Sequence, residues 1–392
     1  MEHAAIDSRY HQYMTFKWFY FTIFFGFGGL FPLLAVYLRE NGLTGGQIGI
    51  IMSISPVVMI LIQPMWGMIA DYTQKPRYVL AFTILATALA AVFYSFAEEY
   101  WLFIAAAALL AFFQSSIVPI SDSITLNYVQ KEGYDYGAIR LWGAVGFAVS
   151  VLVVGRLSES AGLWVIFYIF ALVLAVSAIF SWKMPEEGRL EQVNLGAGLS
   201  TLLKLPRFVL FLITTFLVFG PIFANNFYFG IFVQDSGGTL TGVGLAFLLA
   251  AGSEAPFMKF ASAFIRRLGM IRVLFLAALV SGLRWLFYFY EPSLALIYAT
   301  TVAQGFSIGL FIPAALQYVR DISPKDVRAT AVSLYSAMGN GAGSWFSTFI
   351  GGIILERAGI FSLYMFFSVQ TAAGVLLLFV ILQIDRKKRR QM

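Results

Sequence analysis

Nine stretches of this sequence run for 20 residues or more without a charged side chain: 18–38, 41–70, 78–97, 100–121, 160–182, 208–234, 292–319, 329–355 and 358–384. A helix rises about 1.5 Å per residue, so about 20 apolar residues cross the ~30 Å hydrocarbon core of a bilayer. Each run is therefore long enough to be a membrane span. Three further stretches qualify although they carry charge: one beginning near Tyr136 with Arg140 about a turn inside it, 240–265 with Glu254 and Lys259, and 271–290 with Arg284. The fold class that follows is an all-α integral membrane protein of twelve transmembrane helices. Composition agrees, because only 12% of residues are charged against about 25% in soluble domains.

Lys and Arg set the orientation. With alternating loops, 21 of them fall on one side, and only Arg39, Arg156 and Arg357 on the other. The positive-inside rule then places both termini in the cytoplasm, in the cell (inner) membrane. The same rule accounts for the net charge of +6 without nucleic acid. The basic tail Arg386–Arg390 reads as a stop signal against anionic lipid. The first 14 residues lack the apolar core and cleavage site of a secretory signal. There is no cysteine, and both histidines, His3 and His11, lie in the polar N-terminal arm. Disulfides, thiolate catalysis and Cys- or His-built metal sites are excluded. No cofactor is expected, and no convergent nucleophile, base or metal set points to an enzyme.

The chain also repeats. Ala138–Gly146 reads AIRLWGAVG, and Ala331–Gly339, 193 residues on, reads AVSLYSAMG; upstream, LNYV at Leu126 is matched by LQYV at Leu316. The longest polar connector follows the sixth span. The expected domains are therefore two pseudo-symmetric six-helix bundles, 1–183 and 205–392, joined by a cytoplasmic linker, 184–204. Parallel repeats of this kind belong to transporters whose sites lie near the bilayer midplane.

Charges at membrane depth mark candidate sites, because each costs ~2.5–3.5 kcal/mol on insertion scales unless paired or used. Asp122 and Arg140 sit on consecutive antiparallel helices. With helix four ending near Tyr128 and helix five starting near Tyr134, both lie about 9 Å inside and meet if rotated inward. The pair either binds solute or staples two helices. Glu254 and Arg284 fall near the midplane of consecutive spans. They are expected to couple, with Glu254 taking a proton when Arg284 moves away, or to form a permanent pair. Lys259 is too far around the helix to partner Glu254 and is expected to snorkel. Gln114, Asn225, Asn226, Gln304 and Asn340 either meet solute or bond a neighbouring helix. Trp18, Trp142 and Trp285 either stack on a solute ring or pack. Gly339, Gly341 and Gly343 are expected to allow close helix contact.

Between spans two and three, Gly67–Arg77 reads GMIADYTQKPR. This resembles the loop motif of the major facilitator superfamily, Gly-x-x-x-Asp followed by basic residues. The resemblance implies a cytoplasmic gate of Gly67, Asp71, Lys75 and Arg77; the equivalent stretch of the second half has Arg266 where the acid would be. Gln63–Asp71, Pro119 with Asp122, and RLWGAVGF at Arg140–Phe147 look like the branch containing lactose permease and the phenylpropionate permeases. Gly42–Gly49 (GLTGGQIG) resembles the latter. The resemblance covers most of the chain and implies proton-coupled symport of a small organic solute by alternating access, in a monomer. A sugar, a nucleoside or an aromatic acid fits. The alternative is a proton-driven exporter or an uncoupled facilitator. By the same resemblance Asp122 and Arg140 take the places of the residues that bind sugar hydroxyls, and Phe147 that of a ring-stacking tryptophan. Glu254 lies near the place of the helix-eight glutamate, and Arg284 matches the helix-nine arginine. The pattern departs at Gln304, which replaces a histidine, at Ser307, which replaces the proton-carrying glutamate, and at helices seven and eleven, which lack the paired acid and lysine.

Overall fold

A computed structural model describes residues 2–185 and 195–391; Arg189 lies outside the described residues, as do the side chains of His3, of Arg9 and of the tail from 385. The described chain is almost wholly helical. In order, the elements are α1 (Glu2–Glu40), α2 (Gly45–Thr73), α3 (Pro76–Tyr94), α4 (Tyr100–Gln114), α5 (Ile117–Glu132), α6 (Tyr136–Ala161) and α7 (Val165–Trp182). A short helix α8 (Leu195–Leu203) precedes α9 (Pro206–Asp235), α10 (Leu240–Leu268), α11 (Met270–Phe289), α12 (Leu294–Ile322), α13 (Arg328–Ser336) and α14 (Ser344–Gln391). Among the described residues, eleven helical stretches are long and apolar enough to cross a membrane. The last of them bends at Gly359, where φ is 81°, so it supplies two spans. That gives the twelve expected from the sequence.

The chain forms two compact units. Unit 1 comprises Met1–Leu43, Val57–Glu191 and Thr239–Leu245; unit 2 comprises Thr44–Pro56, Gln192–Gly238 and Ala246–Met392. In unit 1, α1 packs on α6 and α7, and α3 on α4 and α7, around Phe16, Phe19, Tyr20, Phe103, Phe167 and Phe170. In unit 2, α14 packs on α9 and α11, around Phe208, Tyr228, Trp285, Tyr288 and Tyr364. Apolar side chains on the opposite faces, such as Leu89 and Leu172, stay exposed, as a helix facing lipid requires.

Three local departures position the functional residues. The fourth span is broken between α4 and α5 at Ser115 and Ser116. Pro119 has no N–H for the carbonyl four residues earlier. The Ser115 hydroxyl donates to the Phe112 carbonyl at 2.9 Å and that of Ser116 to the Phe113 carbonyl at 3.0 Å. The Trp66 indole N–H also donates to the Phe112 carbonyl, at 2.8 Å. Next, the turn between α5 and α6 is shorter than expected. Gly133, at φ 75°, closes α5, and Asp135 caps α6 by accepting from the Gly137 N–H. Third, Ala337–Gly343 (AMGNGAG) is wound as a π-helix between α13 and α14.

Two acids cap helices far from them in sequence. The Glu159 carboxylate accepts from the backbone N–H and hydroxyl of Thr241 at 2.8 and 2.7 Å, at the start of α10. Glu356 accepts from the Gly46 N–H at 2.8 Å and the Thr44 hydroxyl at 3.1 Å, at the start of α2. A carboxylate there satisfies orphan N–H groups and complements the helix dipole.

Without a hydrophobic drive between helices, packing in lipid depends on small residues that let backbones approach. A Cβ on Gly28 of α1 would lie 2.5 Å from the Phe147 carbonyl oxygen and 2.9 Å from its Cα, in α6. Gly252 of α10 has open space around it. Gly28→Ala is therefore expected to cost about 1–3 kcal/mol and to lower the melting midpoint of the detergent-solubilised protein. Gly252→Ala should match or exceed the parent, by up to about 1 kcal/mol. Equal melting of Gly28→Ala and parent would contradict the close crossing.

Candidate functional site

In unit 1 the two charges flagged by the sequence come together. Arg140 Nε lies 3.9 Å from Asp122 Oδ1, with the side chains 32% and 27% exposed. The expectation of equal depth is corrected. Asp122 is ten residues from the end of α5, about 15 Å, and Arg140 four residues from the start of α6, about 6 Å. The long Arg140 side chain closes the gap by lying across Phe24, 4.2 Å from its ring centroid, and near Tyr20, at 5.3 Å. Asp122 has a stronger partner than Arg140: the Tyr20 hydroxyl donates to Oδ1 at 2.5 Å, while also lying 3.2 Å from Thr125 Oγ1.

These magnitudes rank the interactions. An ion pair at the outer limit of distance and nearly a third exposed is worth at most ~1 kcal/mol. A short O–H···O⁻ bond is among the strong ones. Tyr20 therefore fixes Asp122, and the ion pair contributes little as a staple. Among the described residues no hydrogen bond occupies the donors of Arg140, of which a guanidinium has five in a fixed fork. A carboxylate held by the Tyr20 and Tyr136 hydroxyls beside a partly exposed guanidinium is a donor–acceptor set suited to vicinal hydroxyls. Phe147, half-buried, is two turns further along the same face of α6. Gln114 sits at the break in the fourth span, with its side-chain oxygen buried and unbonded.

Unit 2 is arranged differently. Arg284 is 4% exposed. Its Nη1 donates to Gln304 Oε1 at 2.8 Å, and the guanidinium lies 4.2 Å from the Trp285 ring centroid and 5.5 Å from that of Tyr288. The expected pairing with Glu254 is not formed, because α11 turns Arg284 toward Gln304 of α12. Glu254 is half-buried in α10, with no hydrogen bond or ion pair among the described residues. Lys259 is exposed. Asn225 is 1% exposed and accepts from the Tyr364 hydroxyl at 2.9 Å. It is a helix-bonding residue in this structure, whereas Asn226 is half-buried. Trp285 is fully buried and packs.

At the loop motif, Gly67 and Asp71 are half-buried and Lys75 is exposed. Arg77 donates to the Met184 carbonyl at 3.1 Å, just beyond the end of α7. The bond ties the start of α3 to the chain that follows α7. Sequence reasoning missed Tyr20 and Phe24. Their spacing of four along α1 puts them on one face, but in a chain with 40 Phe and 19 Tyr that spacing singles out nothing.

Twelve helical spans, with polar side chains set among them, define a multi-pass membrane protein. Comparison places it further. Residues 13–366 match the MFS_1 like family, and the chain belongs to that family. It is 51% identical over 378 residues to the maltose permease of Geobacillus stearothermophilus, covering 95% of each chain. It is 43% identical over 385 residues to an uncharacterized transporter, YwbF, of Bacillus subtilis (strain 168), covering 98% of this chain and 96% of that one. Among solved structures, the nucleoside transporter NupG superposes with a TM-score of 0.83 at 19% identity, covering 95% of this chain and 99% of that one. That likeness shows the shared fold. The protein is accordingly a transporter of a small molecule and not an enzyme.

The role of the Asp122–Arg140 cluster has a direct test. A solute contact requires Asp122→Asn and Arg140→Lys each to raise the half-saturation concentration about tenfold to a hundredfold, the worth of one charge-assisted hydrogen bond, with expression and melting retained. Unchanged affinity in both variants would assign the pair a purely structural role.

Proposed function

We propose that this transporter carries a maltose-type disaccharide into the cell together with a proton. It does so by alternating access of two six-helix bundles, residues 1–183 and 205–392, on either side of the linker 184–204. It works as a monomer in the cytoplasmic membrane, with both termini inside. The observation that carries the substrate reading is the 51% identity, over 95% of both chains, to a protein named maltose permease.

The chemistry of the candidate residues supports it. A neutral sugar presents adjacent hydroxyls, each both donor and acceptor, and an apolar ring face. Asp122 accepts, Arg140 donates, and Phe147 offers a ring for stacking. Gln114, Asn226 and Gln304 supply amides to further hydroxyls, while Asn225 supports its neighbours through Tyr364. An aromatic acid is the poorer fit, since Asp122 already neutralises Arg140 and its carboxylate would repel a second one. For coupling, Glu254 is the proposed proton carrier. It has no cation beside it among the described residues, so protonation leaves no charge abandoned. Arg284, bound to neutral Gln304 instead of an acid here, is the proposed partner of deprotonated Glu254 in another state of the cycle. Gly67, Asp71, Lys75 and Arg77 are assigned to the cytoplasmic gate.

The test is uptake into proteoliposomes under an imposed proton gradient, inside alkaline, with labelled maltose, lactose, a nucleoside and phenylpropionate. Maltose should accumulate above equilibrium, and a protonophore should abolish that accumulation. Glu254→Gln should lose gradient-driven accumulation while keeping maltose counterflow. Maltose flux indifferent to the gradient would mean an uncoupled facilitator. Transport of the nucleoside or the aromatic acid in place of maltose would overturn the sugar reading.

A further inference from the structure

The π-helical turn Ala337–Gly343 is the only one among the described residues. Such turns are rare, and they occur frequently at functional sites. At membrane depth, irregular backbone is tolerated where protein buries it or where it lines a water-filled cavity. Protein buries one side of this turn, and the other side is open. Gly339, Gly341 and Gly343 are buried. A Cβ on Gly339 would lie 3.1 Å from Thr215 Cγ2 and 3.3 Å from Phe219 Cβ, and one on Gly343 would lie 2.9 Å from the Phe216 carbonyl oxygen. The glycine face is thus fixed against α9. Asn340, about a quarter turn away, is exposed, as is Ser336 one turn before it.

The depth of Asn340 makes that exposure informative. Asn340 is twelve residues from the start of α13, about 18 Å and so near the middle of a bilayer. An amide presented to lipid there would leave two donors and an acceptor unmet. Among the described residues nothing bonds the Asn340 amide, so water or a solute must. The internal repeat adds a second, independent indication. The offset of 193 that aligns Ala138–Gly146 with Ala331–Gly339 carries Phe147 onto Asn340. The repeat thus places an amide in the second half where the first half has its candidate ring-stacking residue.

We propose that Asn340 is a substrate-binding residue of unit 2. The π-turn holds its amide at membrane depth, where it donates to and accepts from hydroxyls of the transported solute. This rests on the transporter reading above, with a sugar as the substrate class. The turn acts as the mount: an α-helical turn with a larger residue at Gly339 or Gly343 would meet α9 and rotate the amide away.

The cysteine-free chain permits a clean test. Asn340→Cys and Phe147→Cys are each reconstituted and treated with a membrane-impermeant methanethiosulfonate, with and without saturating maltose; sucrose serves as the non-substrate control. The introduced thiol at 340 should be modified, and maltose should slow its modification about tenfold while sucrose leaves it unchanged. Asn340→Ala should raise the half-saturation concentration for maltose about tenfold with the maximal rate within about twofold. Protection at 147 without protection at 340, or an unreactive thiol at 340, would overturn the proposal. Should maltose fail to drive uptake, the sugar reading fails in that assay. Protection is then measured with the solute of the panel that is carried, and absence of protection at 340 still refutes the role of Asn340.

Discussion

A polar side chain in hydrocarbon needs a partner, and that requirement organises the interior of this protein. Most polar groups in the spans meet it locally. Thr83, Thr87, Thr125, Thr214 and Thr215 return their hydroxyls to carbonyls three or four residues earlier. Others tie helices together: Tyr364 to Asn225, Ser347 to Gln370 at 3.0 Å, and the Tyr228 hydroxyl to the Thr348 carbonyl at 2.5 Å. Against that background, groups left open stand out. The donors of Arg140, the carboxylate of Glu254 and the amide of Asn340 lack a full complement of partners among the described residues while remaining partly or largely exposed. Those are the groups free to act on something that is not protein.

The two units answer the cost of charge in different ways. Unit 1 holds an acid and a base together, each partly open, with Tyr20 anchoring the acid. Unit 2 buries one cation against an amide and two aromatic faces, where cation–π attraction is worth most because water is excluded. It keeps its acid apart. The repeat shows that the two halves differ at this point, since Ser333 stands where Arg140 has its counterpart. A pair already neutralised suits recognition of a neutral solute. A lone acid whose charge state can change without stranding a neighbour suits coupling.

Much of this was legible in the sequence, for reasons of length and cost. Twenty uncharged residues have few alternatives to a membrane helix, so the spans could be counted, and the start of α6 at Tyr136 followed from the need to complete a short one. Asp122 and Arg140 were legible as partners because two expensive charges on adjacent helices have each other as the cheapest remedy. Helix rotation was not legible. Spacing places Arg284 near the midplane, but the angle of α11 decides whether it meets Glu254 or Gln304. The π-turn was invisible as well, because AMGNGAG satisfies an α-helix equally well until α9 is placed against its glycines. The break at Ser115–Ser116 was half visible, in Pro119, but the serines that re-bond the freed carbonyls read like any others.

The composition of the units has a consequence for how the chain is made. Unit 1 is completed by Thr239–Leu245, where Thr241 receives Glu159, and unit 2 by Thr44–Pro56, next to the Thr44 and Gly46 groups that Glu356 receives. On the ribosome, the first unit therefore waits for a segment synthesised after its own last helix, a delay of seconds at about 5–20 residues per second. The start of α2, made early, waits far longer, until Glu356 emerges near the end of synthesis. Each unit takes a segment from the far side of the linker. A chain cut in the linker would leave each fragment with an uncapped helix and an unmatched acid, and the two would have to find one another in the membrane before either was complete.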